Sequence, residues 1–281
     1  MKTMIPMMAA ALMLAGCATT SSDCCTKSCA KTCPSAAACT CAAPNTLTAC
    51  EKAEGWELLW DGQTLKGWVA EKSGCTKPPE KGWKIENGVL TVLPSARINE
   101  QGKWEKLPPE QALGGGGDIV TERVFKDFAL KVDFKLTKAA NSGIKYFYDR
   151  ACFKGTCEEY QILDEAHPDS TKGRDGMCRR VASLYDMIPA HAEKIVKPLG
   201  EWNTAMIVSK GNHVEHWLNG VKVVEFERGS KAFRDIVAQS KYAKEEKDGN
   251  HWGEIPAGRI KIQDHSDSTV SFRNIKIREF K

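Results

Sequence analysis

Apolar and polar residues alternate in short stretches over much of the chain between residues 83 and 262. Because neighbouring side chains of a strand point to opposite faces of a sheet, this spacing predicts half-buried β-strands. The predicted strands cover residues 83–86, 89–92, 128–136, 144–148, 160–163, 204–208, 221–226 and 259–262. Helical spacing is confined to residues 230–243, where Ser230 is expected to cap one short amphipathic helix.

Turn signals separate the predicted strands. Asn87-Gly88 and Asn219-Gly220 favour tight hairpins, and Lys210-Gly211-Asn212 indicates a third turn. Residues 94–117 and 167–180 are rich in Gly, Pro or Asp and are expected to be long loops. Many short strands, tight turns and one helix predict an all-β fold, a two-sheet jelly-roll sandwich with one short helix and long loops.

The first residues have the pattern of a lipoprotein signal peptide. Lys2 precedes an apolar run over residues 5–14, and Leu14-Ala15-Gly16-Cys17 forms a lipobox. The run is shorter than the ~20 residues that a membrane-spanning helix needs. We therefore expect residues 1–16 to be removed and Cys17 to carry a lipid anchor in the cell envelope, with Ala18 compatible with the outer membrane.

Most of the 12 cysteines lie in residues 17–50, among Ala, Ser, Thr, Lys and Pro. Such a composition buries too little apolar surface to fold unaided, so we expect a flexible tether followed by one domain over residues 51–281. Disulfides are favoured over a metal site because the tether has no histidine and the compartment is oxidising. In the domain, spacing suggests the pairs Cys152–Cys157 and Cys75–Cys178.

The formal net charge is only +4, from 40 basic and 36 acidic residues. No basic stripe interleaved with aromatic residues occurs, so nucleic acid is not an expected partner. The sequence does not define an oligomeric state.

Two predicted strands have polar residues at their centres. Glu159 and Gln161 alternate with Tyr160 and Ile162, and Lys261, Gln263 and His265 alternate with Ile260 and Ile262. Each polar set should share one sheet face. That face is either a concave ligand-binding surface or an ordinary solvated surface, because both give the same alternation.

A series of short motifs occurs in one order along residues 56–280. They are Leu59-Trp60-Asp61-Gly62, Glu86-Asn87-Gly88-Val89-Leu90, Asn141-Ser142-Gly143-Ile144, Glu159-Tyr160-Gln161-Ile162-Leu163-Asp164, Gly200-Glu201-Trp202-Asn203, His216-Trp217-Leu218-Asn219-Gly220 and Gln263-Asp264-His265. In these motifs the chain resembles the 3-keto-disaccharide hydrolase family. The resemblance implies a concanavalin-like jelly roll that acts on glycosides whose third hydroxyl has been oxidised to a ketone.

A ketone at C3 acidifies the hydrogen on C2, so a base can remove it and the resulting enolate can expel the C1 substituent. This chemistry needs a base, a cation or donor at the enolate oxygen, and an acid for the leaving group. Laminarinase-like enzymes of the same fold instead use a Glu-x-Asp-x-Glu strand. Here that strand reads Glu159-x-Gln161-x-Leu163, which disfavours a conventional glycosidase. A non-catalytic carbohydrate-binding protein is the other alternative.

The expected catalytic residues are Glu159 or His265 as the base, Lys145 at the enolate oxygen and Tyr185 as the acid. A bound divalent metal ion could replace Lys145, with Glu159, Asp264 and His265 as its candidate ligands.

Five residues are candidates for binding the carbohydrate substrate. Asn141, Gln161 and Gln263 carry amides suited to sugar hydroxyls, and Trp217 could stack on a sugar ring. His216 is either a sugar ligand or a core histidine, because it alternates in register with Val214 and Leu218.

Overall fold

The computed structural model describes residues 43–246 and 249–281. The predicted signal peptide, the lipidation site Cys17 and most of the tether lie outside these residues. No helix of the described part is long and apolar enough to cross a membrane.

The described residues form antiparallel β-structure with two short α-helices, α1 (Ala49–Ala53) and α2 (Lys231–Gln239). The strands are β1 (Glu57–Leu58), β2 (Trp68–Ala70), β3 (Trp83–Glu86), β4 (Val89–Val92), β5 (Ala96–Ile98), β6 (Trp104–Lys106), β7 (Ile119–Thr121), β8 (Phe128–Leu136), β9 (Asn141–Tyr148), β10 (Glu158–Leu163), β11 (Trp202–Lys210), β12 (His213–Leu218), β13 (Val221–Glu227), β14 (Arg259–Ile262) and β15 (Val270–Glu279).

Two sheets make up the sandwich. In the described part of the chain the larger sheet has the order β13-β12-β11-β8-β15-β4-β3, with β1 beside β15, and the smaller one has the order β10-β9-β14-β7-β2. Alternate residues from both sheets, such as Phe134 and Ile207 from the larger and Ile144 and Ile162 from the smaller, are fully buried in one apolar cluster. The predicted all-β sandwich is therefore confirmed.

The three predicted hairpins are present. Asn87 and Asn219 both have positive φ and are each followed by a glycine, as a tight turn between β3 and β4 or between β12 and β13 requires. Gly211 joins β11 to β12. The predicted loop 94–117 also contains a small hairpin, formed by β5 and β6. It was not predicted because the Gly and Pro content of this segment favours a loop.

The predicted helix begins where expected but ends early. The Ser230 hydroxyl accepts a hydrogen bond from the backbone of Phe233, as an N-cap should. The α-helix stops at Gln239, and the Ser240 hydroxyl then caps a separate 3₁₀ turn over residues 241–245 by accepting from the backbone of Tyr242. The second cap redirects the chain, so residues 241–245 leave the helix axis.

The predicted domain boundary at residue 51 falls inside α1. The Thr48 hydroxyl caps this helix, and Glu51 accepts hydrogen bonds of 2.8 and 3.0 Å from the Lys276 ammonium on β15. Further upstream, Asn45 and Asn274 each donate a backbone N–H to the other's side-chain oxygen. The folded part thus begins before residue 51, with polar contacts that hydrophobic patterning cannot indicate.

The two disulfides predicted within the domain are absent, and those predicted for the tether lie mostly outside the described residues. Cys75, Cys152, Cys157 and Cys178 are all thiols in this structure. Cys157 is buried with Val69, Val120 and Tyr148, and Cys75 packs against the same small cluster. The expected Cys152–Cys157 pair is not formed because Cys157, directly before β10, packs in this buried cluster, to which Cys152 does not belong.

Candidate active site

A cleft of about 390 Å³ lies on the polar face of the smaller sheet. Its lining comes from β9, β10, the segment 155–157 that precedes β10, the segment after β14, the segment around residue 185 and the 3₁₀ turn 241–245. The lining residues are Asn141, Lys145, Gly155, Thr156, Cys157, Glu159, Gln161, Tyr185, Lys241, Tyr242, Lys244, Glu245, Gln263 and His265. Seven of the residues proposed from sequence, Asn141, Lys145, Glu159, Gln161, Tyr185, Gln263 and His265, therefore lie together.

Strand β10 places Glu159 and Gln161 in the cleft, and it buries Tyr160 and Ile162 in the core. Glu159 pairs with Lys145 on β9, and Gln161 pairs with Gly143. A Cβ atom at Gly143 would lie only 2.1 Å from Oε1 of Glu159. Glycine at position 143 therefore lets the Glu159 carboxylate lie across β9 beside Lys145.

The segment 182–185 extends the sheet beyond β10. Gln161 exchanges backbone hydrogen bonds with Ala182 and Ser183, and the Tyr185 N–H donates to the Glu159 carbonyl at 3.0 Å. This pairing holds Tyr185 next to Glu159. Burial, followed by the negative charge of Glu159, raises the pKa of the Tyr185 phenol to about 12, so the phenol keeps its proton at neutral pH.

Charged side chains alternate from Glu159 and Lys145, which line the cleft, to residues outside its lining. The Lys145 ammonium lies 3.8 Å from a Glu159 oxygen and 3.9 Å from an Asp118 oxygen, and Lys261 lies 3.3 Å from Asp118 and from Glu71. Burial alone would lower the pKa of Lys145, but Glu159 and Asp118 raise it above its ordinary value. Lys145 is thus a permanent cation whose nearest carboxylates lie beyond hydrogen-bond distance, which leaves its N–H groups able to bind a ligand.

His265 is part of a histidine–carboxylate–histidine chain. Its Nδ1 lies 2.9 Å from Asp267 Oδ1, and Nε2 of the buried His167 lies 3.5 Å from Asp267 Oδ2. His167 Nδ1 accepts a hydrogen bond from the Asp169 backbone, so the His167 proton is on Nε2, facing Asp267. Asp267 accordingly fixes the proton of neutral His265 on Nδ1, which leaves a lone pair on Nε2.

The Asn141 amide lies next to that lone pair. Asn141 Oδ1 accepts a hydrogen bond from the Gln161 amide at 3.3 Å, so its Nδ2 points to His265 Nε2, 3.2 Å away. The backbone of Gln263 donates to the Gly143 carbonyl, which keeps the segment after β14 paired with β9. Hydrogen bonds from both sides therefore set the orientation and the tautomer of His265.

Sequence reasoning missed the residues that the 3₁₀ turn 241–245 adds to the cleft. The Lys241 ammonium lies 4.2 Å from the centre of the Tyr185 ring. The pKa of Lys241 is lowered, because loss of solvent around the ammonium outweighs the attraction of Glu159 and Asp186. The sequence signal that could have indicated this turn was Ser240. A serine can end one helix and cap the next turn as readily as it can continue a helix.

His216 does not line the cleft, so its place among the substrate-binding residues is withdrawn. It is completely buried between the sheets, where Nε2 lies 2.8 Å from the Tyr146 hydroxyl and Nδ1 lies 3.0 Å from the Ala182 carbonyl. Burial lowers the pKa of His216 to about 4, which keeps the ring neutral. Its alternation with Val214 and Leu218 reflects the core.

We expect His216→Leu to lower the free energy of unfolding by about 2 kcal/mol, because each buried polar partner left unpaired costs ~1–3 kcal/mol. Turnover by the folded variant should be unchanged. Urea denaturation against His213→Leu, on the exposed side of the same strand, measures the difference. A normal unfolding midpoint combined with a raised KM would restore His216 to the substrate site.

Trp217 is also withdrawn as a sugar platform. It lies on β12 of the larger sheet, and its indole N–H donates to Glu215 at 2.8 Å. Alternation predicted that Trp217 lies on the opposite face of its strand from Leu218, which is correct. That face belongs to the larger sheet, however, and the cleft lies on the smaller sheet.

The candidate metal ligands are not brought together as a group of three. Asp264 accepts hydrogen bonds from the backbones of Gly117 and Ser266 and does not line the cleft, unlike Glu159 and His265. In the described residues, the ligand-type side chains whose donor atoms lie within 4.8 Å of one another are His213, Glu215 and Glu225, on the larger sheet. There the Lys222 ammonium lies 3.1 Å from Glu215 and 2.6 Å from Glu225.

Amide, carboxylate, imidazole and ammonium groups thus line one cleft of an all-β sandwich, and groups of these kinds can hydrogen-bond sugar hydroxyls. Residues 55–278 match the model of the 3-keto-alpha-glucoside-1,2-lyase-like domain, and the chain is a member of that family. It is 35% identical over 245 residues to a 3-keto-disaccharide hydrolase of Bacteroides thetaiotaomicron, a match that covers 80% of this chain and 79% of the relative. These matches make the protein a carbohydrate-active enzyme.

Two solved structures from Parabacteroides distasonis ATCC 8503, both provisionally described as glycosyl hydrolases, share the fold. One is 30% identical with a TM-score of 0.67 and covers 85% of this chain and 100% of its own. The other is 25% identical with a TM-score of 0.54 and covers 80% and 99%, respectively.

Proposed function

We propose that the protein releases the C1 substituent of glycosides oxidised to a ketone at C3, by removing the proton on C2. The observation that supports this most strongly is the geometry around His265, a cleft residue whose Nδ1 is held by Asp267 at 2.9 Å and whose Nε2 lone pair accepts a hydrogen bond from the Asn141 amide at 3.2 Å. Lys145 and Tyr185 line the same cleft and supply a cation and a phenol. The name of the 35% identical relative, a 3-keto-disaccharide hydrolase, is consistent with this substrate class.

In the proposed reaction, the Asn141 amide turns from His265 Nε2 to a sugar hydroxyl, Nε2 takes the C2 proton, and the electron pair of the C2–H bond forms an enolate with the C3 oxygen. The Lys145 ammonium stabilises the negative charge on that oxygen. The enolate then re-forms the ketone and expels the C1 substituent, which Tyr185 protonates, leaving a C1–C2 double bond. Water then adds across that double bond. The Tyr185 phenolate takes a proton from the water as its hydroxyl bonds to C1, and protonated His265 gives a proton to C2, which completes a net hydrolysis and restores both residues.

Three amide side chains are proposed to hold the sugar. Asn141, Gln161 and Gln263 line the cleft beside His265, and the buried Oε1 of Gln161 has no hydrogen-bond partner among the described residues. A buried acceptor without a donor is costly, and a sugar hydroxyl would satisfy it.

The pH dependence follows from Asp267. Burial acts to lower the pKa of His265, but the hydrogen bond and charge of Asp267 outweigh it and raise that pKa above 6.5. A base works when deprotonated, so kcat/KM should rise with pH through a value above 6.5. Asp267→Asn removes the charge, and the acid limb should therefore move to lower pH while kcat falls.

A pH–rate profile of wild type and Asp267→Asn measures this shift, with Asp235→Asn, an exposed carboxylate on α2 that pairs with Lys231, as a control that leaves the surroundings of His265 intact. The proposed base would be wrong if the acid limb stayed in place in Asp267→Asn. Asp267 itself titrates too low to account for the limb, because hydrogen bonds from His167 and His265 outweigh its burial and lower its pKa to about 2.

The proposal is tested by giving the purified protein a 3-keto-glucoside and its unoxidised parent and following aglycone release. We expect release from the keto compound alone. Cleavage of the parent would indicate a conventional glycosidase, and binding of either compound without turnover would indicate a carbohydrate-binding protein. A parallel assay with chelator tests the divalent metal, for which Glu159 and His265 remain the candidate ligands in the cleft.

We further propose that the enzyme works at the bacterial cell envelope, anchored through a lipid on Cys17. The lipobox Leu14-Ala15-Gly16-Cys17 supports this. Incorporation of labelled palmitate that is lost in Cys17→Ser tests it, and equal labelling of the variant would contradict it.

A further inference from the structure

A second cavity shares a wall with the cleft. Its volume is also about 390 Å³, which is within the ~300–1,000 Å³ typical of small-molecule sites. Its lining residues are Ala151, Cys152, Phe153, Lys154, Glu245, Asn250 and Ile255. Glu245 lines both cavities, and the segment that contributes Phe153 to the second contributes Gly155 and Thr156 to the first.

The walls of the second cavity are tied to the cleft. The Trp252 indole donates to the Thr156 hydroxyl at 2.9 Å and stacks on Tyr242 with ring centres 4.1 Å apart. Thr156 and Tyr242 both line the cleft. The segment that carries Ile255 is therefore fixed relative to the cleft.

Arg228 also connects the segment that carries Ile255 to strand β10. This buried guanidinium donates to the carbonyls of Gly253 and Ile255, at 2.7 and 2.5 Å, and lies 2.9 Å from Glu158 Oε1. Glu158 directly precedes Glu159 on β10. Strand β10 therefore carries the cleft carboxylate Glu159 next to Glu158. Through Arg228, Glu158 also helps to fix the apolar wall at Ile255.

The second cavity is suited to an apolar ligand. Its two charged groups, the Lys154 ammonium and the Glu245 carboxylate, lie 3.1 Å apart and pair with each other, so the polar groups that remain in the lining are the Asn250 amide and the Cys152 thiol. Phe153 and Ile255 supply an aromatic and an aliphatic surface and pack on the core. A second sugar would need several unpaired donors and acceptors, whereas an aromatic ring needs an apolar contact surface.

The backbone is strained at two adjacent residues of the second cavity. Phe153 and Lys154 have φ values of 45° and 53°, a region that costs non-glycine residues energy. Both strained residues line the second cavity.

We propose that the second cavity binds the leaving group attached to C1 and that it favours an aromatic leaving group over a second sugar. This inference rests on the proposed function, because it takes the oxidised ring to occupy the cleft. The bond to be broken would then lie near the shared Glu245 wall.

The test compares two substrates, 4-nitrophenyl 3-keto-glucoside and methyl 3-keto-glucoside, whose methyl group is too small to fill the second cavity. Phe153→Ala and Ile255→Ala should each lower kcat/KM for the nitrophenyl substrate about tenfold, through loss of the aromatic contact. Both should change the value for the methyl substrate less than about twofold. Phe280→Ala, a half-buried phenylalanine outside both cavities, is the matched control.

An equal loss on both substrates, or a wild-type preference for a 3-keto-disaccharide over the nitrophenyl substrate, would overturn the inference. Failure of the proposed function is distinguishable, since the wild type would then turn over neither keto compound. In that case calorimetric titration with unoxidised 4-nitrophenyl glucoside decides the matter. Weaker binding by Phe153→Ala supports the aromatic site, and equal binding refutes it.

Discussion

His265→Gln should lower kcat on a 3-keto-glucoside by ~10²–10⁴, the usual contribution of a positioned general base. Gln keeps a donor near Asp267 but has no lone pair of imidazole basicity at the position of Nε2. Because His265 is partly exposed and its neighbours hold one another in place, the melting temperature should change little. Rates are measured under saturating substrate, and thermal unfolding is followed on the same preparations.

His191→Gln is the matched control for this loss, since His191 is exposed and does not line the cleft. Retention of more than half of the wild-type kcat by His265→Gln would exclude His265 as the base. Glu159, which lines the same cleft, would then be the remaining candidate.

Lys145→Met should lower kcat by ~10²–10³, as removal of one preorganised donor at a developing oxyanion does in other enzymes. The ground-state ketone carries little charge, so KM should change less than kcat. Lys145→Arg keeps the positive charge between Glu159 and Asp118 and should recover part of the rate. Steady-state kinetics of both variants, with circular dichroism as a folding check, measures the effect.

Lys135→Met on the larger sheet, whose ammonium lies over the Trp202 ring, is the control for loss of a lysine. If Lys145→Met kept the wild-type kcat and Lys241→Met lost it, the enolate would be stabilised from the 3₁₀ turn and the assignment of Lys145 would be wrong.

Period-two alternation predicted the strands near the site because it follows from strand geometry alone. Glu159 and Gln161 do share a face opposite Tyr160 and Ile162, and the hairpin at Asn219-Gly220 follows from local φ preferences. Whether a polar sheet face forms a ligand-binding cleft or an ordinary solvated surface depends on the segments packed beside it. The alternation therefore left that choice open.

The alternation argument failed for His216 and Trp217 because it assigns faces within one strand and not between sheets. Both lie on β12, whereas the cleft belongs to β9, β10 and the segment after β14. Asp267 and His167 were missed for a related reason. Their contact joins two irregular segments 100 residues apart, and no periodicity links them.

The central claim is that the C2 proton is removed before the C1 substituent departs. Turnover of a 3-keto-glucoside labelled with deuterium at C2, followed by nuclear magnetic resonance of the products, tests it most directly. The proposed mechanism predicts loss of the C2 deuterium to solvent in step with aglycone release, together with a primary isotope effect on the rate. Release of the aglycone with the C2 deuterium retained and no isotope effect would contradict it and would indicate direct displacement at C1.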